Sequence, residues 1–477
     1  MLPTKDIVQR LWALCHVLRD DGITYQDYIT ELTWLLFLKM VKETGRESQL
    51  PKGYRWTDLA SKEGVEQLVF YKELLLRLGT QGRGRVQQIF ANASTSLRHS
   101  RNLSRIVTEI NSIDWYSARE EGLGDMYEGL LEKNASEQKS GAGQYFTPRP
   151  LIDSIVALVK PKAGEVIQDP AAGTGGFLVA ANRYIRKGSR GLANSKIGQK
   201  PRLGQLFVGV ELVTSAFRLC LMNAFLHGIE GNILLGDSLS PLGTELPKAD
   251  VIITNPPFGT KKGGGRPLRD DFTFPTSNKQ LAFLQHVYLG LKPGGRAAVI
   301  LPDNVLFEDG IGTRVRVDLM DKCNLHTILR LPSGIFYAQG IKTNVLFFQR
   351  GTKDGKSTTR RVWFYDLRTN VPPFGRRTQI NRNMFSDFEK AFGSDPNGQA
   401  QRRDEGESGR FRAFTREQIA SRGNSLDLFW LRVGALDQAS EFPDPERISA
   451  EIMANLRVAL EEIESLVEVL GSEDIFA

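Results

Sequence analysis

The spacing of hydrophobic residues divides the chain into parts that predict different structures. Up to about residue 135, apolar residues recur three or four positions apart, as on one buried face of a helix. From about 151 to 350, helical stretches alternate with short apolar runs, which is the pattern of a parallel sheet flanked by helices. We therefore predict an α/β protein in which a doubly wound sheet follows an N-terminal all-helical domain.

The individual elements follow from the same spacing. Helices are predicted at Ile7–Leu18, Tyr25–Val41, Gly64–Leu78 and Leu103–Asn111. Strands are predicted at Val166–Gln168, Phe207–Glu211, Ile233–Leu235, Val251–Thr254, Arg296–Leu301, Thr327–Leu331 and Asn344–Gln349. Two segments rich in glycine and basic residues, Arg186–Gln205 and Gly259–Asn278, are predicted to be exposed loops.

The last part of the chain changes character twice. Residues 350–445 are polar, with a low-complexity patch at Gly393–Gly409, and are predicted to wrap the sheet or form loops. After them, an apolar stripe predicts a long amphipathic helix that packs on its own domain or pairs with another chain. The stripe consists of Ile448, Ile452, Leu456, Leu460, Ile463, Leu466 and Leu470. We place the domains at 1–140, 141–440 and 441–477.

Composition narrows the class of protein. The 477 residues, 41% hydrophobic and 25% charged, are typical of a globular chain with more than one domain. No apolar run approaches a membrane span, and the first residues lack the features of a signal peptide, so a cytoplasmic location is predicted. The three scattered cysteines and five isolated histidines predict neither disulfides nor a metal site. The net charge of +7 permits a polyanionic partner.

The first candidate for chemistry is the end of the apolar run Val251–Thr254, which stops at Asn255, Pro256, Pro257 and Phe258. Proline has no N–H for a sheet ladder and holds the preceding residue extended, so this corner is stiff. Open α/β sheets bind ligands at such carboxyl ends of strands. An amide, a free carbonyl and an aromatic ring suit a planar base with an exocyclic amine. A strand end with a core phenylalanine is the alternative.

Three earlier strand ends carry groups that suit a nucleoside. The turn Asp169–Phe177 follows a strand and matches neither the phosphate loop nor the dinucleotide motif, which favours a ligand without phosphates. Glu211 ends the next strand, where its carboxylate can accept hydrogen bonds from ribose hydroxyls. Asp237 ends the strand after that and can accept from an adenine amine. Helix capping is the alternative role for Asp237.

In this order, the motifs Gly143–Arg149, Asp169–Phe177, Glu211, Gly236–Ser238 and Asn255–Phe258 resemble those of adenine-N6 DNA methyltransferases. The resemblance is to the modification (M) subunits of type I restriction–modification enzymes and covers roughly residues 1–350. It implies a Rossmann-like methyltransferase sheet and S-adenosylmethionine as cofactor. The implied cofactor-binding residues are Gln144, Tyr145, Phe146, Thr147, Pro148, Arg149, Asp169, Thr174, Gly175, Gly176, Glu211 and Asp237.

The resemblance also implies partners and a reaction. The partners would be double-stranded DNA, a second M subunit, one specificity (S) subunit that reads the DNA, and a restriction (R) subunit in the full nuclease. The reaction would be methyl transfer to N6 of a flipped-out adenine, without a metal. Asn255 and the Pro256 carbonyl would accept from the amine, and Phe258, with Tyr145 or Phe146, would stack on the base.

Three points stay open at this level. Lys261, Lys262, Arg266 and Arg269 can offer phosphate contacts, which carry no sequence information. A solvated mobile loop is the alternative for this segment. The Asn-Pro-Pro-aromatic corner also serves methyltransferases that act on an RNA base, cytosine N4 or a protein glutamine. A non-catalytic assembly or DNA-binding subunit with the same fold is the alternative from another class.

Overall fold

The computed structural model describes residues 25–113, 147–190, 206–258, 269–336, 341–352, 358–371, 374, 380–431 and positions 449, 453 and 460. The predicted helix Ile7–Leu18 lies outside these residues. Of the predicted terminal helix, Ser449, Met453 and Leu460 are described, and all three are helical and exposed.

The described helices are α1 Tyr25–Glu43, α2 Trp56–Ala60, α3 Gly64–Gln81, α4 Arg85–Phe90, α5 Ser100–Ser112, α6 Arg149–Val159, α7 Gly176–Arg190, α8 Thr214–Leu226, α9 Leu242–Glu245, α10 Lys279–Gly290, α11 Asn304–Phe307, α12 Ile311–Lys322, α13 Ser386–Phe392 and α14 Arg416–Ala420. The described strands are β1 Ile167–Asp169, β2 Phe207–Glu211, β3 Gly231–Leu235, β4 Ala249–Thr254, β5 Leu291–Pro302, β6 Cys323–Arg330, β7 Thr343–Arg350, β8 Arg361–Asp366 and β9 Phe411–Thr415. Every strand predicted from the sequence overlaps one of these.

Contacts divide the chain into two compact units. The first comprises Met1–Gln138, Gly173–Gly175 and Val213–Glu230. Its core forms where the apolar faces of α1, α3 and α5 meet, and α8 joins them through an edge-to-face contact of Phe37 with Phe225 at 5.3 Å. The predicted helices Tyr25–Val41, Gly64–Leu78 and Leu103–Asn111 are therefore confirmed as α1, α3 and α5.

The second unit comprises Lys139–Ala172, Gly176–Leu212 and Gly231–Ala477, and its described strands form one nine-stranded sheet. The strand order is β3-β2-β1-β4-β5-β7-β6-β8-β9. Strands β1 to β5 pair in parallel, whereas β7 runs antiparallel to both β5 and β6. Parallel strands are buried on both faces, which explains why β2 and β4 read as nearly continuous apolar runs. The predicted Rossmann-like sheet is confirmed.

The polar stretch 350–445 is more ordered than predicted. It supplies β8 and β9, which extend the sheet, and its aromatic side chains Phe364, Phe388, Phe392 and Phe414 are buried. The prediction of loops around the sheet was therefore wrong for these segments. Each strand is short, and arginines and aspartates surround its aromatic residues, so the average polarity of the stretch conceals them.

The parallel part of the sheet has a consequence for function. Because β1 to β4 are mutually parallel, their carboxyl ends all lie on the same side of the sheet, which we call the carboxyl edge. Asp169, Glu211, Asp237 and Asn255 stand at or just beyond these four ends. The fold thus collects at one edge four side chains that are far apart in the sequence.

We expect the sheet core to be sensitive to lost volume. Leu284 on α10 is fully buried in a cluster with Ile252 and Val299, so Leu284→Ala should lower the free energy of unfolding by about 2–5 kcal/mol. Leu289 on the same helix is only partly buried, and the same change there should cost less. Denaturant unfolding of both variants measures the two losses. Equal losses would contradict the assignment of Leu284 to the core.

Candidate active site

Two of the acidic strand ends are held close together by the sheet ladder. Asp169 and Glu211 are 1% and 8% exposed at the ends of neighbouring strands β1 and β2. The turns that follow the neighbouring strands β1 and β3 both form hydrogen bonds to the end of β2. In the turn after β1, the Ala172 N–H donates to the Val210 carbonyl, and in the turn after β3, the Gly236 N–H donates to the Glu211 carbonyl, each at 2.9 Å. Glu211 therefore lies at the end of the strand between the two turns.

The buried position of Asp169 changes its titration. Burial raises the pKa of Asp169 to about 7, and the carboxylate of Glu211 acts in the same direction. The Asp169 Oδ1 accepts from the Ala171 N–H at 3.1 Å, which starts the turn. Buried carboxyl groups with raised pKa values concentrate at functional sites.

Asp237 has a local structural role. Its Oδ1 accepts from the Leu239 N–H at 2.8 Å, which makes a tight turn just after β3. The predicted alternative of a helix cap does not apply, because α9 begins only at Leu242, after Pro241. One carboxylate oxygen thus shapes the turn at the sheet edge, and a carboxylate carries a second acceptor oxygen.

The glycine turn between β1 and α7 is strained for any residue but glycine. Gly173 and Gly175 have φ values of 54° and 83°. A Cβ on Gly175 would lie 2.9 Å from the Cys220 sulfur, and the Thr174 carbonyl accepts from the Asn223 side-chain amide at 3.1 Å. Thr174 and Gly175 thus belong to the first unit, while Gly176 begins α7 in the second.

Asn255 shows the geometry that matters most for chemistry. Its Nδ2 donates to the Thr147 hydroxyl at 3.0 Å, although the two residues are far apart in the sequence. Its Oδ1 is buried and has no hydrogen-bond partner among the described residues. Buried polar atoms are almost always paired, so an unpaired acceptor calls for an explanation. A ligand with an N–H donor would satisfy it.

The aromatic side of the corner contains a residue that the sequence analysis missed. Phe258 contacts Phe336 edge to face, with ring centroids 6.3 Å apart and an interplanar angle of 90°. Phe336 follows β6, which is parallel to β5 because both run antiparallel to β7. Its position after the carboxyl end of a parallel strand was the signal that could have identified it.

Other predicted residues have different outcomes. Pro148 is buried, and Arg149 begins α6 directly after it. Gln144, Tyr145, Phe146, Lys261, Lys262 and Arg266 lie outside the described residues. Arg269, one of the four candidates for phosphate contacts, is instead buried: it is 7% exposed and forms an ion pair with Asp271. Within the described ranges, His, Cys, Asp and Glu form no group able to hold a metal ion.

Comparison with known proteins shows which family the chain matches. The model of the N-6 DNA methylase family matches residues 118–428. The methylase subunit of the type I restriction enzyme EcoKI from Escherichia coli (strain K12) is 48% identical, over 98% of this chain and 96% of that protein. The StySPI methylase subunit from Salmonella potsdam has the same identity and coverage.

Solved structures from type I restriction–modification systems are also similar to this chain. The crystal structure of the EcoKI M protein is 44% identical, with a TM-score of 0.57 over 98% of this chain and 96% of that one. A chain solved in work on complex assembly of the type I restriction–modification system has 26% identity and a TM-score of 0.71, over 99% and 100% of the two chains.

The fold is that of a type I methylase subunit, and the chain belongs to the N-6 DNA methylase family. Within that family, the similar relatives named above are methylase subunits of type I restriction enzymes, which confirms the resemblance identified from the sequence motifs. In the part of the chain that the structure describes, no helix has the length and hydrophobicity needed to span a membrane.

The raised pKa of Asp169 predicts a pH-dependent effect of Asp169→Asn. The folded state keeps the carboxyl proton up to about pH 7, whereas the unfolded state releases it near 3.8, so wild-type stability falls as pH rises between these values. The asparagine does not titrate. The stability of the variant relative to wild type should therefore increase across this pH window and level off above it. Urea unfolding midpoints across the window measure this change, and a constant difference would contradict it.

Proposed function

We propose that this chain transfers a methyl group from S-adenosylmethionine to N6 of a flipped-out adenine in duplex DNA, as the modification subunit of a type I restriction–modification complex. The observation that carries the proposal is the buried Asn255 Oδ1, which is unpaired among the described residues while Thr147 holds the other end of the same amide. Asn255 therefore presents an oriented acceptor to an incoming amine.

The chemistry of an aromatic amine needs such an acceptor. The lone pair of adenine N6 is delocalised into the ring, so the nitrogen is a weak nucleophile. Hydrogen bonds from the amine to Asn255 Oδ1 and to the Pro256 carbonyl hold the nitrogen and stabilise the positive charge that develops on it. They also orient the lone pair towards the methyl group, which makes the contribution one of positioning and charge stabilisation.

The acidic strand ends fit the proposed cofactor. Glu211 provides acceptors for the two ribose hydroxyls, and Asp237 provides an acceptor for an exocyclic amine, each at the end of a neighbouring strand. S-adenosylmethionine would supply an activated methyl group on a positive sulfonium. The buried acceptors at the ends of β1 and β2 suit a cationic nucleoside without phosphates.

The base must leave the duplex to reach this corner. Adenine N6 pairs with thymine inside the helix, so enzymes that modify it rotate the nucleotide outwards. Phe258 follows Asn255 by three residues, and its ring is in perpendicular contact with the ring of Phe336. A Phe258 ring held in this way offers a stacking surface for the extruded base.

The assembly is part of the proposal. The relatives at 48% identity are subunits of restriction enzymes, which supports a complex of two M subunits and one S subunit on double-stranded DNA, joined by R subunits in the nuclease. The S subunit would read the target sequence. Membership of a DNA methylase family favours DNA adenine over an RNA base, cytosine N4 or a protein glutamine.

Removing the Asn255 amide should abolish methylation and spare the cofactor. We expect Asn255→Ala to lower kcat at least about 100-fold, as when an oriented transition-state hydrogen bond is lost. The Kd for S-adenosylmethionine should stay within about twofold, because Asn255 holds the base. Transfer of labelled methyl groups to DNA by the complex with its S subunit, together with calorimetry, measures both quantities. Asn232→Ala, at an exposed position of β3, is the matched control. Retained turnover in Asn255→Ala would remove Asn255 from catalysis.

The Thr147 hydroxyl should matter through Asn255. Thr147→Val keeps the side-chain shape but frees the Asn255 Nδ2, so the amide can rotate away from its productive orientation. We expect kcat to fall by about tenfold, the equivalent of one hydrogen bond. Thr147→Ser keeps the hydroxyl and should retain most of the activity. If Thr147→Val matches wild type, the amide needs no such support.

A further inference from the structure

Arg269 is buried beside the turn that follows β3, in a network that the methyl-transfer chemistry does not use. Its Nε donates to one oxygen of Asp271 at 2.7 Å and its Nη2 to the other at 2.5 Å, a two-pronged pair that fixes the plane of the guanidinium. The same group lies 4.4 Å from the centroid of the Phe272 ring. The guanidinium orientation is therefore set from two sides.

The remaining prong of Arg269 reaches the turn that carries Asp237. Arg269 Nη1 donates to the Ser238 carbonyl at 3.1 Å. The Ser238 hydroxyl in turn donates to the Pro170 carbonyl at 2.6 Å, next to Asp169 in the turn after β1. Ser238 is 2% exposed, so both bonds are shielded from water. Ser238 is therefore held through its carbonyl by Arg269 and through its hydroxyl by Pro170.

Neighbouring residues are shaped around this contact. A Cβ on Gly243 would lie 1.9 Å from the Ser238 carbonyl and 2.6 Å from Arg269 Nη1, so only glycine fits there. Arg269 Nη1 also contacts His286 Nδ1. Burial and then the charge of Arg269 lower the pKa of His286 to about 3. His286 is therefore neutral, and its Nδ1 can accept from Arg269.

The position of β3 explains why the turn needs this support. Among the described strands, β3 is the outermost on its side of the sheet and pairs with β2 alone, and Leu235 at its end is 48% exposed. The turn that follows this outermost strand is therefore flanked by a described strand on one side only. Because Asp237 stands in that turn, its carboxylate moves whenever the turn does.

We propose that Arg269 is a positioning residue for the cofactor: it clamps the Gly236–Ser238 turn so that Asp237 is held ready for S-adenosylmethionine. The proposal rests on the proposed function, because it needs Asp237 to contact the cofactor. The clamp acts before binding. It should therefore affect cofactor affinity and leave the chemical step at Asn255 unchanged.

Arg269→Lys tests the clamp. Lysine keeps the charge but lacks the fork, so it cannot hold both Asp271 oxygens and reach Ser238 at once. We expect the Kd and KM for S-adenosylmethionine to rise about tenfold, the equivalent of one charged hydrogen bond, with kcat at saturating cofactor within about twofold. The measurements are calorimetry and steady-state methylation by the complex with its S subunit.

Arg296 offers a matched control. It is also 7% exposed and makes a two-pronged pair with Glu165, and it donates to the Val159 carbonyl. The hydrogen bonds of its side chain go to Val159, Lys160 and Glu165 rather than to Ser238. Arg296→Lys should lower the melting temperature about as much as Arg269→Lys and leave cofactor affinity unchanged. An equal loss of affinity in both variants would overturn the proposal.

A double-mutant cycle shows whether Arg269 acts through Asp237. Asp237→Ala should itself weaken cofactor binding, and adding Arg269→Lys to it should have almost no further effect, since both remove the same contact. Independent effects would overturn the clamp. If Arg269→Lys fails to fold, Asp271→Asn loosens the same fork and should raise the Kd in the same direction. Wild-type affinity in that variant would also overturn it.

Failure of the proposed function and failure of the clamp give different binding results. If the wild-type complex does not bind S-adenosylmethionine, the proposed function fails. If the wild type binds it and Arg269→Lys binds equally well, the proposed function stands and the clamp is refuted.

Discussion

Parallel pairing of β1 to β4 is the constraint on which the site depends. Parallel strands all point the same way, so their carboxyl ends meet at one edge of the sheet, and the side chains that follow them meet there too. Asp169, Glu211, Asp237 and Asn255 owe their common location to this geometry. A shift of one residue in the register of β1 or β2 would turn the side chain at the end of that strand to the other face of the sheet.

Burying polar groups at this edge has an energetic cost that indicates function. Asp169 is almost fully buried and holds its proton up to about pH 7, and the Asn255 oxygen is buried without a partner among the described residues. Groups chosen only for stability would be paired or replaced by apolar ones. The unfavourable burial is consistent with a site that is completed when cofactor and base bind.

The side chains at the carboxyl ends of the strands also have to be held in defined orientations. Thr147 fixes one end of the Asn255 amide, and Arg269 and Pro170 fix both ends of Ser238 beside Asp237. These supporting residues come from segments that lie far from their targets in the sequence. They convert a row of suitable side chains into an arrangement with defined directions.

The sequence by itself determined the alternation of helices and strands, the parallel sheet and the four strand-end residues, because each depends on local periodicity and on residues next to a strand. It concealed β8 and β9, where charged neighbours mask short aromatic strands, and it missed Phe336. Only the tertiary structure decided that Arg269 is buried rather than free for DNA, and that Thr147 orients Asn255. The physical reason is that burial and hydrogen-bond partners depend on contacts between distant segments, which local pattern does not encode.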